Sequence, residues 1–131
     1  MSVLKILSDR WDGVFNHEEI VETPTTGDFD RLLDRMDSKV HTMIMLQRER
    51  DAHMGIGGGS GKYVVYVTYD NETFWNLIAA ERAPGAVMLN VGGQEGEYPA
   101  RQVVAQDRAR QAGRTFLATG ELDRSLRWEM Q

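Results

Sequence analysis

The sequence predicts an α+β fold: one domain over residues 1–131, an antiparallel β-sheet meander with two helices packed mainly on one face. Three observations carry this. Short apolar and alternating runs recur between Val40 and Val91 with links of a few residues, and closely linked strands pair antiparallel. Two segments, one from Phe29 to Met36 and one from Val104 to Leu117, instead repeat apolar residues at helical spacing. The order strand, helix, several strands, helix, strand then builds a layered arrangement whose second sheet face stays partly open.

Val3 to Leu7 is a first strand, and Ser8 to Asn16 reads as loop, because Asp9, Asp12, Gly13 and Asn16 interrupt any period. Thr23-Pro24-Thr25-Thr26-Gly27-Asp28 announces a helix start, and Phe29, Leu32, Leu33 and Met36 form one buried stripe. Val40 to Gln47 is a strand of the sheet interior, apolar on both faces. Arg48 to Asp51 is a charged turn. Met54–Gly57 and Tyr63–Tyr69 are strands joined by Gly58-Gly59-Ser60-Gly61, a stretch suited to the positive φ angles of a reversal. Asp70-Asn71-Glu72 turns the chain into Thr73–Ile78, and Val87–Val91 follows Pro84-Gly85. Ala109, Ala112, Phe116 and Leu117 mark the second helix, ended by Thr119-Gly120. From Ser125 to Met130 the chain alternates, predicting a closing strand with Leu126, Trp128 and Met130 on one face.

Apolar and charged fractions of 41% and 27% are those of an ordinary globular chain, which argues against wholesale disorder. There are no cysteines, so disulfides and thiolate metal sites are excluded and a cytoplasmic location is the expectation. No apolar run reaches the roughly 20 residues of a membrane helix. Met1 to Leu7, broken by Lys5, makes a poor secretion signal. The net charge is −5; residues 1–94 carry 14 acidic and 9 basic side chains and residues 95–131 six of each. That acidic first part disfavours nucleic acid and favours a basic partner.

The C-terminal helix with Ala112, Phe116 and Leu117, its Thr119-Gly120 stop and the strand centred on Trp128 resemble the signature of a known family. It is the first-numbered ("Imm-one") group of immunity proteins of bacterial polymorphic toxin systems. Gly96-Glu97-Tyr98-Pro99 and the Val21-Glu22-Thr23-Pro24 lead-in to Leu32-Leu33-Asp34-Arg35-Met36 are further echoes. Leu122-Asp123 stands where the family usually has an Arg-Pro pair, a departure in the turn after the glycine. The resemblance implies a cognate protein toxin as partner, often a nucleic-acid deaminase, and no cofactor. It also marks Trp128 as characteristic, which reads as a core anchor whose indole N–H needs one acceptor.

Motifs for chemistry fail on spacing. Gly55 to Lys62 has Ile56 where a phosphate loop needs its first glycine and Tyr63 where it needs Ser/Thr, and no helix follows. His17-Glu18 has Val21 where a zinc protease needs its second histidine, and His17, His41 and His53 share no ligand spacing. Ser8, Ser38, Ser60 and Ser125 sit in no nucleophile elbow. Asp30 with Asp34, and Glu95 with Glu97, read as solvated charge, the first pair costing a little helix stability. Arg101, Arg108, Arg110 and Arg114 read as the solvated face of the last helix, and Gly113 as a point of close approach to the sheet.

A binding protein needs a rigid surface, and nanomolar inhibition needs about 12 kcal/mol, supplied mostly by aromatic or arginine anchors inside a charged rim. Two regions carry that mixture. The first joins the Tyr69–Asn76 stretch, with Asp70, Glu72 and Trp75, to the Gly92–Tyr98 loop, with Glu95, Glu97 and Tyr98. The second is the Asp9–Phe15 loop, with Trp11 and Asp12. Against a non-catalytic antitoxin stand a small ligand-binding or regulatory domain and, third, an enzyme with an unrecognised site. The oligomeric state is open.

Overall fold

Alternation builds the sheet. A computed structural model describes residues 3–79 and 83–131, so Met1 and Ser2 of the opening segment lie outside the described residues. The strands are β1 (Lys5–Ser8), β2 (Trp11–Asp12), β3 (Phe15–Asn16), β4 (Glu19–Glu22), β5 (Met43–Gln47), β6 (His53–Gly59), β7 (Lys62–Thr68), β8 (Phe74–Leu77), β9 (Ala86–Val91), β10 (Gln94–Pro99) and β11 (Trp128–Met130). Two helices, α1 (Thr26–Asp34) and α2 (Gln106–Thr119), lie between them. Seven strands make one antiparallel sheet in the order β11-β8-β7-β6-β5-β1-β4, so β5 to β8 form the predicted meander.

Register separates the two faces. Ile6, Leu46, Met54 and Val67 stand in one row, and Ile44, Ile56, Val65 and Leu77 in another. Both rows are buried beneath Phe29, Leu32 and Leu33 of α1 and Ala109, Ala112, Phe116 and Leu117 of α2. Each fully buried aliphatic or aromatic side chain contributes about 1.5–3 kcal/mol, so this layer dominates the stability.

Local chemistry sets the helix ends. Thr25 caps α1 through its side chain to the Asp28 N–H, while Asp28 returns a bond to the Thr25 N–H. Gly120 ends α2 with φ 73°, the left-handed stop the sequence announced. Gly113 permits a close approach, but to α1 and not to the sheet: a Cβ there would overlap the Phe29 ring.

The helix charges also depart from expectation. Arg110 and Arg114 are not free on a solvated face. Arg110 bridges Asp30 (2.9 Å) and Asp34, and Arg114 reaches Asp30 at 2.6 Å, tying α2 to α1. Two arginines therefore offset the repulsion between Asp30 and Asp34. Arg101 likewise pairs with Glu129 of β11 at 2.7 Å.

Several strands differ from the sequence reading. The Ser8–Asn16 segment holds the small hairpin β2–β3, and β4 forms the sheet edge against β1. The strands of the small hairpin are two residues long, too short for periodicity to register, and Val21-Glu22 of β4 reads in sequence as the lead-in to α1. Residues 40–42 precede β5 instead of joining it. The reversal between β6 and β7 falls on Ser60 (φ 54°) and Gly61 (φ 93°), while Gly58 and Gly59 stay in β6. Leu126 lies in a turn and Met130 is exposed, which leaves Trp128 alone as the inward residue of β11; its indole N–H donates to the Asp123 carbonyl at 3.0 Å.

The largest departure is β9. It leaves the sheet and pairs with β10, so the predicted Gly92–Tyr98 loop is the return arm of a hairpin. This hairpin covers part of the helix-free face. Val91 occupies the space a Cβ at Gly57 would need, and the Tyr66 ring does the same over Gly55.

Candidate functional site

One buried carboxylate organises the helix-free side. Asp9 follows β1 directly and is 7% exposed. Its Oδ1 accepts the backbone N–H of Thr42 (2.7 Å) and of Met43 (3.0 Å). Oδ2 accepts the Trp11 indole N–H at 2.8 Å and the Thr42 hydroxyl. The Thr42 oxygen in turn accepts the Gly93 N–H at 3.0 Å. Four donors satisfy a charge that burial would otherwise penalise heavily.

The consequence is that two hairpins are locked together. Trp11 at the base of β2–β3 lies flat enough against the β9–β10 turn that a Cβ at Gly93 would overlap its ring. Ser38 holds the other side of the hairpin, donating from Oγ to the Asn90 carbonyl (3.2 Å) and accepting its N–H (3.0 Å). Asp37, whose carboxylate accepts three backbone N–H groups, fixes the Ser38 turn. Burial pushes the Asp37 carboxyl up, but those three bonds outweigh it and leave it below its ordinary value.

On β10 the register sorts the expected residues. Glu95 and Glu97 stand opposite Asn90 and Met88 and share the outward face. Both carboxylates are exposed, Met88 is 56% exposed, and neither glutamate is ion-paired among the described residues. Tyr98 takes the opposite face with Val87 and the buried Leu89. Asp12 is exposed on β2. Between the two hairpins and the sheet, Leu7, Trp11, Glu18, Met43 and Met45 line a recess of about 120 Å³.

The remaining expected residues lie elsewhere. Asp70 accepts the backbone N–H of Thr73 (2.8 Å) and of Glu72 (2.9 Å), and these bonds hold its carboxyl below the usual value. Its charge shapes its own turn, with Glu72 exposed beside it. Trp75 shares the helix-side face with Val67. There Arg48, Tyr69, Leu122, Arg124 and Trp128 join it around an open groove of about 770 Å³. Tyr69 donates to the Gly120 carbonyl at 2.9 Å; burial raises its phenol, against the pull of Arg48 and Arg124. Trp11, Asp12, Glu95 and Glu97 are thus brought to one side of the molecule and Trp75 to the other.

Sequence reading missed Asp9, Thr42 and Ser38. A buried Asp gives no periodic signal; the clue available was a carboxylate two residues before a tryptophan that needs an acceptor.

No curated protein matches the chain. The family model of immunity protein Imm1 matches residues 17–130, which spans everything from the end of β3 to β11. The matched span holds α1, six of the seven strands of the large sheet (all but β1), the β9–β10 hairpin, the Gly120 stop and Trp128, and the chain belongs to the Imm1 immunity protein family.

Proposed function

We propose that this protein binds the cognate toxin of a bacterial polymorphic toxin system, a nucleic-acid deaminase, and neutralises it by covering its active site or substrate groove. It acts in the cytoplasm, with no reaction and no cofactor of its own. The observation that supports this reading is the outward face of β10, where Glu95 and Glu97 flank Met88 on a hairpin anchored through Thr42. A deaminase acting on nucleic acid presents a positive channel to its polyanionic substrate. Carboxylates at Glu95, Glu97 and Asp12 take the place of phosphates there, and Trp11 keeps the two hairpins in register.

Rigidity matters as much as charge, because ordering a loop on binding subtracts from affinity. Asp70, Glu72, Trp75 and Tyr98 form a secondary contact set in this reading. The test is protection of cells expressing the toxin encoded by the neighbouring gene, followed by titration of the purified pair across salt concentrations. Affinity that holds constant as ionic strength rises would remove the electrostatic part of the proposal. A second reading, a small ligand-binding domain, draws on the groove at Trp75 with its indole pair and two guanidinium groups. Native mass spectrometry tests it: a co-purifying compound lost in Trp75→Ala would favour it.

A further inference from the structure

The β2–β3 hairpin ends in two residues that the fold does not use. Val14 is 83% exposed and Phe15 is 70% exposed, the two most exposed large apolar side chains among the described residues. Neither belongs to the buried cluster or to the residues packed on it. Hairpin turns favour Asn, Asp and Gly, each for a conformational reason, and a β-branched residue is a poor choice there. Gly13, with φ 62°, already meets the conformational demand of this turn. Val14 therefore serves no need of the turn itself, and Phe15 none of the core. Single exposed apolar residues are common, but here two consecutive ones at the tip of a fixed hairpin are both left to solvent.

The hairpin is also fixed at its base. Asn16 Oδ1 accepts the Arg10 N–H at 3.0 Å, the His17 N–H donates to the Arg10 carbonyl at 2.8 Å, and the Trp11 N–H donates to the Val40 carbonyl at 2.9 Å. The Trp11 indole is held by Asp9 as described. A pre-ordered tip keeps its binding energy, since little conformational freedom remains to be lost. Asp12, opposite Phe15 in the hairpin register, is exposed beside the tip, and Glu18 is exposed at the hairpin's base, where it lines the recess; neither is ion-paired among the described residues. An apolar anchor within a charged rim is the arrangement that concentrates binding energy in protein interfaces.

We propose that Val14 and Phe15 are the anchor of the toxin interface, inserting into an apolar recess inside the toxin's basic groove while Asp12 and Glu18 meet the cations at its rim. This rests on the reading of the chain as a toxin-binding protein and names the contact that supplies most of its affinity. The partner surface it requires is specific: a basic protein face with a pocket wide enough for a phenyl ring.

The experiment is isothermal titration of the full chain against the catalytically inactivated toxin domain encoded by the neighbouring gene. Four proteins are compared: the native chain, Phe15→Ser, Val14→Ser with Phe15→Ser, and Phe15→Leu. Thermal melting of each is recorded alongside, and exposure of both sites predicts unchanged melting. The expected result is a loss of about 30-fold or more in affinity for Phe15→Ser, a larger loss for the double variant, and retention of most affinity in Phe15→Leu. If the native chain binds and the double variant binds within threefold of it, the anchor is overturned while the toxin-binding reading stands. If the native chain does not bind this toxin at all, both fall.

Discussion

Asp9 and Trp11 meet side chain to side chain across a gap of two residues, the indole N–H donating to the carboxylate at 2.8 Å. The same carboxylate caps the start of β5 through Thr42 and Met43. One acidic group thereby sets the position of a short hairpin, a sheet strand and, through Thr42, the β9–β10 turn. The residues proposed to meet a toxin contribute little to this arrangement; they are carried by it.

Replacing Asp9 by Asn should therefore be costly. The amide keeps the shape but loses the charge and offers one acceptor where two served four donors. Leaving a buried donor unmet costs about 1–3 kcal/mol, more where a charge-assisted bond is lost. Urea unfolding of Asp9→Asn should show a loss of about 2–3 kcal/mol, and toxin capture should weaken in parallel. An unchanged midpoint would contradict the network.

Two glycine-to-alanine changes should have opposite signs. At Gly113 the new methyl overlaps the fully buried Phe29 ring. Overpacking of about 1–3 kcal/mol there outweighs the roughly 1 kcal/mol that helix propensity returns. At Gly27, near the start of α1, the nearest atom to a Cβ is Thr25 Oγ1 at 3.7 Å, so Gly27→Ala should stabilise by up to about 1 kcal/mol. Melting curves of the two variants decide the matter.

Acid should loosen the contact between the helices. The Arg114 hydrogen bond, opposed by burial and reinforced by Arg110, holds the Asp30 carboxyl below its ordinary value. A lowered folded-state pKa contributes stability that is complete above the unfolded value of about 3.9 and disappears as pH falls through the folded one. The native protein should lose stability on acidification from pH 5 downward. Asp30→Asn, less stable at pH 7, should lose less over the same interval in chemical denaturation.

Charge reversal on β10 should act on encounter more than on folding. Glu95 and Glu97 are exposed and not ion-paired among the described residues, so Glu95→Lys with Glu97→Lys should leave melting nearly unchanged. Stopped-flow association with the toxin should slow by about tenfold or more at low salt, with the difference shrinking at high salt. Equal rates at all salt concentrations would place the charged contact elsewhere.

What the sequence showed clearly was whatever repeats or punctuates. The α1 stripe from Phe29 to Met36, the α2 stripe through Phe116 and Leu117, and the Gly120 stop are readable because one period or one residue type decides them. The β5 to β8 meander followed from short links. The two-residue strands were hidden, since two residues cannot establish a period, and the edge strand β4 was hidden because its end reads as the lead-in to α1. The β9–β10 hairpin was half visible: β9 alternates, but the glycines and glutamates of β10 look like loop until pairing with β9 supplies the reason for extension. The ion pairs of Arg110 and Arg114 were hidden too, because they join residues 76 to 84 positions apart.

The division of β10 into two faces has an evolutionary consequence. Glu95 and Glu97 are exposed on one face, whereas Gly96 and Tyr98 are half-buried on the other. Outward side chains are free to be exchanged without penalty to the architecture, so new partner preferences are reachable by single steps at these sites. Diversification of recognition and preservation of the scaffold are thus assigned to alternate residues of one six-residue strand.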